Sequence, residues 1–173
     1  EKSIIGERIK RSEGIIFKTC YQFHKFLTLA FTGQSIKFGN FTCLSKSTIK
    51  KMLVEKSTWN SFSGSLKKIE KDLLSIPSIR GKRYFGPSKM SFFNLIKHSL
   101  SIISVFRKTV LIRSGLFIVF YILLIKSYAS IITSLPLLLL LIMIYSISSL
   151  ALRENIDELN DSLKNINDID KVK

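Results

Sequence analysis

From Val110 to Leu152 the chain is almost continuously apolar, interrupted by charge only at Arg113 and Lys126. A helix rises about 1.5 Å per residue, so about 20 such residues cross the roughly 30 Å of hydrocarbon in a bilayer. Two spans fit, residues 110–128 and 134–152, joined by the short connection 129–133. Arg113 and Lys126 fall near the two ends of the first span, where their stems can snorkel and hold the charge among headgroups. Ser134 is expected to cap the second span, with Pro136 in its first turn, where a missing N–H does least harm. Two buried helices in a soluble protein are the competing explanation. Two adjacent stretches of this length and apolarity argue against it.

Charge is segregated along the chain. Residues 1–113 carry 22 Lys/Arg against 6 Asp/Glu, and residues 114–173 carry 5 against 6, within an overall net charge of +15. A basic half ahead of an apolar stretch predicts attraction to anionic headgroups, to phosphate-bearing ligands, or to both. Nucleic acid would match the sign but gives no reason for the anchor, and the aromatics follow apolar helix faces instead of forming a stacking platform. Arg107, Lys108 and Arg113 flank the first span and Arg153 follows the second, while the turn offers Lys126. By the positive-inside rule both termini face the cytoplasm of a multi-pass protein of the cell (inner) membrane. The first 14 residues offer no apolar signal-peptide core, and a chain opening on Glu1 reads as part of a longer protein. Cys20 and Cys43 lack metal-ligand spacing and read as reduced thiols.

The basic half reads as mixed short elements. Ile16, Cys20, Phe23, Leu27 and Ala30 recur at spacings of 3 and 4, predicting a helix from about Ser12 to Gly33, either lying on the membrane or packed on a core. Residues 35–44 predict a short strand. A helix opened by Ser45 or Ser47 follows, then a second helical stretch over about 58–71. Residues 73–84 read as extended, since Pro77 breaks any helix. Between Lys89 and Lys108 the polar positions Ser91, Asn94, Lys97, His98, Ser101, Ser104 and Lys108 alternate with a wide apolar face. That pattern predicts an amphipathic interfacial helix. Beyond the spans, Leu152, Ile156, Leu159, Leu163 and Ile166 form a two-heptad seam that would either help a homo-oligomer form or dock on its own domain.

The run Ile79-Arg-Gly-Lys-Arg-Tyr-Phe-Gly-Pro-Ser-Lys89 gathers four cations, two glycines and a serine beside the interfacial helix. Arginine binds phosphate oxygens as a bidentate fork, and glycine lets the backbone approach an anion closely. Chemistry alone leaves two readings open: a phosphate-binding loop at the bilayer surface, or a basic patch touching anionic lipid. His24 and His98 have no partners at metal-ligand spacing, and no G-x-S-x-G, HExxH or Walker motif is present.

The pattern Arg80-x-x-Arg83-x-x-Gly86-x-Ser88-Lys89-Met90, followed by an amphipathic helix and two spans, resembles the C-terminal part of membrane-bound family-2 glycosyltransferases. These include the polyprenyl-phosphate, dolichol-phosphate-mannose-synthase-like enzymes. Upstream, Gly6-Glu7-Arg8-Ile9-Lys10-Arg11 resembles the G-x-R-x-x-R segment closing a strand of their GT-A domain. Gly39-Asn40-Phe41 through Leu44-Ser45-Lys46 resembles their G-D-F-R-L-L-S-R element. Asn40 stands where that family often has an acidic residue, and Lys37 lies near the position of an earlier aspartate.

The resemblance implies an α/β fold class: residues 1–88 as the C-terminal part of a GT-A-like catalytic domain, 89–109 as a juxtamembrane helix, 110–152 as a transmembrane hairpin and 153–173 as a charged helical tail. It implies transfer of a sugar from a nucleotide-sugar donor to a polyprenyl-phosphate or related acceptor. Arg80, Arg83, Ser88 and Lys89, assisted by Arg8, would close over donor diphosphate or acceptor phosphate. The full enzyme would use Mg²⁺ or Mn²⁺, but the metal-binding Asp-x-Asp is absent. Asp168-Ile-Asp170 spells the pattern only in the tail, so this segment is expected to bind no metal and to be silent by itself. The alternative is a non-enzymatic basic membrane adaptor that binds anionic lipid and oligomerises.

Overall fold

The computed structural model describes residues 2–10, 15–79 and 91–161. Its element order is β1 (Ile4–Lys10), α1 (Ile15–Thr32), β2 (Phe38–Cys43), α2 (Lys46–Val54), a 3₁₀ turn (Lys56–Trp59), α3 (Phe62–Ile69), β3 (Leu74–Ile79), α4 (Phe92–Ser104), α5 (Arg107–Ile125), α6 (Ile131–Ala151) and α7 (Ile156–Asp161). The chain is therefore mixed α/β, with a small sheet and two long apolar helices.

The sheet runs β2-β1-β3, with β1 antiparallel to β2 and parallel to β3. Its helix-facing side supplies Ile5 and Phe38 to a core completed by Ile36, Met52, Leu66 and Ile102. Those apolar contacts alone do not fix how the strands meet the helices. A buried hydroxyl relay does. Ser3 Oγ accepts the Ser45 N–H at 3.0 Å and donates to Thr48 Oγ1 at 2.9 Å. Ser45 is the N-cap of α2, its side chain accepting the Thr48 N–H, which is the role serine favours. The Thr48 hydroxyl also reaches Glu70 at 3.3 Å, just past α3. One relay thus ties the start of β1, the entry to α2 and the exit of α3.

The expected helix over residues 58–71 is instead split. Lys56–Trp59 is a 3₁₀ turn, and α3 starts afresh at Phe62 with Ser61 as its cap. Glu55 explains the split. Its carboxylate accepts the Ser57 N–H at 3.1 Å, the Ser57 hydroxyl at 2.7 Å and the Lys68 ammonium at 3.0 Å, satisfying donors that a longer helix would have paired differently.

The interfacial helix also divides. In α4 the N-terminal Phe92, Phe93 and Ile96 are exposed, while Ser101, Ile102, Ile103 and Ser104 are buried. Ile102 enters the sheet core and Ile103 enters a second cluster with Val110 and Ile147, flanked by Leu27, Phe31, Leu100 and Met143. Half of α4 is thus a coupling between the α/β unit and the hairpin, contrary to a wholly surface-lying helix.

Helices α5 and α6 are long and apolar enough to cross a membrane, and only 11% of each is buried within the protein. Outward-facing Leu116, Phe120, Leu123, Leu139 and Ile142 are all more than half exposed. The helices start about three residues earlier than the spans expected at 110–128 and 134–152. Ser130, not Ser134, caps α6, in a reciprocal capping box with Thr133. Pro136 accordingly lies inside α6 beyond its first turn, where the missing N–H leaves the preceding turn one hydrogen bond short. Tyr121 closes the hairpin by donating to the Thr133 carbonyl at 3.0 Å.

Candidate functional site

β1 and β3 run parallel, so their carboxyl ends meet: Arg8 pairs with Ser78 and Lys10 with Ile79. In sheets with parallel strands this is the end where ligand sites form, because the strands there feed loops whose backbones are free to turn toward a ligand. Ile79 is followed directly in the chain by the Arg80–Lys89 run. β2 begins at the same end, since it is antiparallel to β1.

The ladder between β1 and β2 breaks at Gly6. Ile5 pairs with Thr42 and Glu7 with Phe38, so Gly39, Asn40 and Phe41 all stand against that one glycine. An extra loop of strand this large needs room, and glycine supplies it. A Cβ at Gly6 would lie 3.3 Å from the Phe41 carbonyl oxygen and 3.4 Å from its ring. The bulge throws Phe41 outward, 81% exposed, and leaves Asn40 exposed beside it. Strand irregularities of this kind re-aim side chains and are frequent beside binding sites. Gly6, Asn40, Phe41, Ile76 and Ser78 line an open concavity of about 620 Å³ on this face.

Glu7 locks the three strands together at that end. Its carboxylate accepts the Ser75 hydroxyl at 2.7 Å and pairs with Lys37 at 3.2 Å, and its carbonyl accepts the Ser78 hydroxyl at 3.2 Å. The Ser75 hydrogen bond, then Lys37, hold the Glu7 carboxyl below the usual glutamate range. Position 37 thus carries a cation paired to Glu7, so an acidic acceptor-side role there has no basis in this geometry.

Of the expected phosphate ligands, Arg8 lies in β1, at the converging strand ends. Arg80, Arg83, Ser88 and Lys89 lie outside the described residues, as do Arg11, Gly86 and Asp168–Asp170. Among the described residues no group of three His, Cys, Asp or Glu side chains comes together as a metal would require. Sequence reasoning passed over Gly6, Glu7 and Lys37 as a unit. The available signal was a glycine inside a strand, which marks a bulge or a close backbone approach.

The tail returns to the α/β unit. Asn60, just after the 3₁₀ turn, donates from Nδ2 to Glu154 at 3.1 Å, and α7 contacts that turn. The start of the tail therefore lies against the α/β unit; of the predicted seam, Leu152 is exposed, and Leu163 and Ile166 lie outside the described residues. The chain matches no protein-family model, no curated protein and no solved structure with which it was compared.

Proposed function

We propose that this chain is the membrane-side, C-terminal part of a family-2-like glycosyltransferase that moves a sugar from a nucleotide-sugar to a polyprenyl-phosphate or related lipid acceptor. The observation that carries this reading is the convergence of Arg8, the exit of β3 into the Arg80–Lys89 run, and the Gly39-Asn40-Phe41 bulge at one end of the sheet. The same run leads within a few residues into α4, whose C-terminal half is packed on the hairpin. Cations in that position would lie where a water-soluble donor and a greasy acceptor can meet.

Chemically, negative charge grows on the nucleoside diphosphate as it leaves. Arg80, Arg83 and Lys89 would hold its phosphate oxygens and stabilise that charge before water can reorganise around it. The outer face of the sheet also fits a larger domain. Leu74 and Ile76 of β3 and Phe41 of β2 are each 48% or more exposed, as expected of a surface that the rest of a GT-A domain would cover. Any metal would be held by that remaining part. The distribution of cations about the hairpin favours the cell (inner) membrane, with the α/β unit and both termini in the cytoplasm.

The test is transfer of labelled sugar to polyprenyl phosphate by the full-length protein. Arg83→Ala or Lys89→Ala should lower turnover by about 10²–10³-fold while leaving membrane insertion intact. A basic lipid-binding adaptor would form no product, and its vesicle binding would follow the number of cations removed regardless of position. Unchanged transfer in both variants would remove the phosphate role.

A further inference from the structure

Helix α1 leaves open large apolar side chains that a helix in water would bury. Its inward side carries two buried hydroxyls beside Leu27 and Phe31, which pack on the hairpin cluster: Thr28 is 2% exposed and Thr32 is 3% exposed. Each bonds the carbonyl four residues earlier, Thr28 to His24 at 2.8 Å and Thr32 to Thr28 at 2.6 Å, so neither needs a partner from another element. Its outward side carries Phe23, Phe26 and Leu29, exposed by 61%, 64% and 52%. Of the apolar spacing that allows α1 either to lie on the membrane or to pack on a core, Phe23 and Ala30 are exposed and Leu27 packs against a core cluster.

This outward strip continues the surface of α5. The Arg113 guanidinium donates to the Ala30 carbonyl at 3.1 Å, with Leu29 O at 3.5 Å, which brings the end of α1 against α5. On either side of Arg113, Ile112 is 65% and Leu116 is 67% exposed. The apolar surface thus runs from the hairpin through Leu29 to Phe26 and Phe23. Farther back along α1, Lys25 stands 5.1 Å from the Tyr21 ring, an aromatic–cation pair of the kind favoured at headgroup depth.

We infer that α1 is a third lipid-contacting element: its Phe23–Phe26–Leu29 strip is seated in the headgroup–acyl boundary of the same leaflet that α5 enters. Lys18 and Lys25, in a half of the chain with a large cationic excess, would face anionic headgroups. The acceptor-facing end of the sheet would then be held at the membrane by α1 as well as by α4. This inference rests on the membrane reading of the hairpin, and the test separates the two.

The single native Trp59 is replaced by Phe, and a reporter Trp is placed singly by Phe26→Trp or by Leu139→Trp in α6. Each full-chain variant is reconstituted into phosphatidylcholine–phosphatidylglycerol vesicles with or without lipids brominated near the top of the acyl chain. Emission from Phe26→Trp should fall at least about two-fold with brominated lipid, as for a side chain seated 5–10 Å into the interface. Quenching of Leu139→Trp without quenching of Phe26→Trp would overturn the α1 assignment alone. Quenching of neither would overturn the membrane reading as well. Protection of Phe26→Trp that depends on protein density and not on brominated lipid would assign the strip to a second copy and also overturn the inference.

Discussion

Arg113 of α5 occupies the space that a side chain at Gly33 would fill: a Cβ there would stand 2.7 Å from Nη2. Gly33 ends α1 with φ +70°, and its N–H bonds the Leu29 carbonyl at 2.8 Å. That conformation is natural to glycine and closes the helix. The arginine then takes the remaining carbonyl at Ala30, placing positive charge at the negative end of the helix dipole. Sequence and packing meet at one point. A glycine that ends one helix also admits the cation of another.

Gly33→Ala should therefore destabilise the protein by about 1–2 kcal/mol from backbone conformation alone, before any clash is counted. Arg113→Met should cost about 1 kcal/mol through loss of the cap. Combined, the two changes should cost less than their sum, because removing the guanidinium relieves the contact made by the new methyl group. Equilibrium unfolding in detergent micelles measures all three. Strict additivity would mean that the two residues do not share this space.

The hydroxyl relay gives a second expectation. Thr48→Val keeps the shape but leaves the buried Ser3 hydroxyl without its acceptor, which should cost about 1–3 kcal/mol. Changing Ser3 and Thr48 together to Ala and Val should recover part of that loss. The same unfolding experiment reads it, with stability unchanged in Thr48→Val as the contrary result.

Acid should loosen the unit in a defined direction. For Glu55, burial alone would raise the carboxyl, but the hydrogen bonds from Ser57 and Lys68 outweigh it and leave the net shift downward. Glu7 is shifted downward by Ser75 and Lys37. A carboxylate lowered in the folded state adds stability that is fully present above its unfolded value and is lost as pH falls through its folded value. Hydrogen-exchange protection in β1 and β3, taken relative to the intrinsic exchange rate at each pH, should therefore be flat from neutral pH down to the ordinary glutamate range and fall below it. Glu7→Gln should weaken protection at neutral pH and flatten this acid response. An unchanged acid arm in that variant would assign it to other groups.

The elements most legible in the sequence were those with a single dominant cause. The hairpin follows from uninterrupted apolarity, α2 from Ser45 ahead of a helical pattern, and β2 from alternation around Phe38. Less legible were features decided by partners distant in the chain. The Ser61 cap and the Glu55 carboxylate divided what read as one helix. Thr28 and Thr32 are buried on the side of α1 that carries Leu27 and Phe31, which the apolar spacing through Phe23 and Ala30 did not mark. Half of α4 was drawn from the expected surface into two cores because Ile102 and Ile103 reach different clusters. At the candidate site Arg8 lies in β1 opposite Ser78. The bulge opposite Gly6 required a pairing register that composition does not carry.

In the proposed topology the hairpin crosses the membrane and returns, leaving the Arg80–Lys89 run and the turn after α5 on opposite sides. It is tested most directly by labelling with a membrane-impermeant maleimide after changing Cys20 and Cys43 to Ser. Ser88→Cys should react from the cytoplasmic face of sealed vesicles, and Ser127→Cys only from the other face. Reaction of both positions from the same face of intact vesicles would contradict the account.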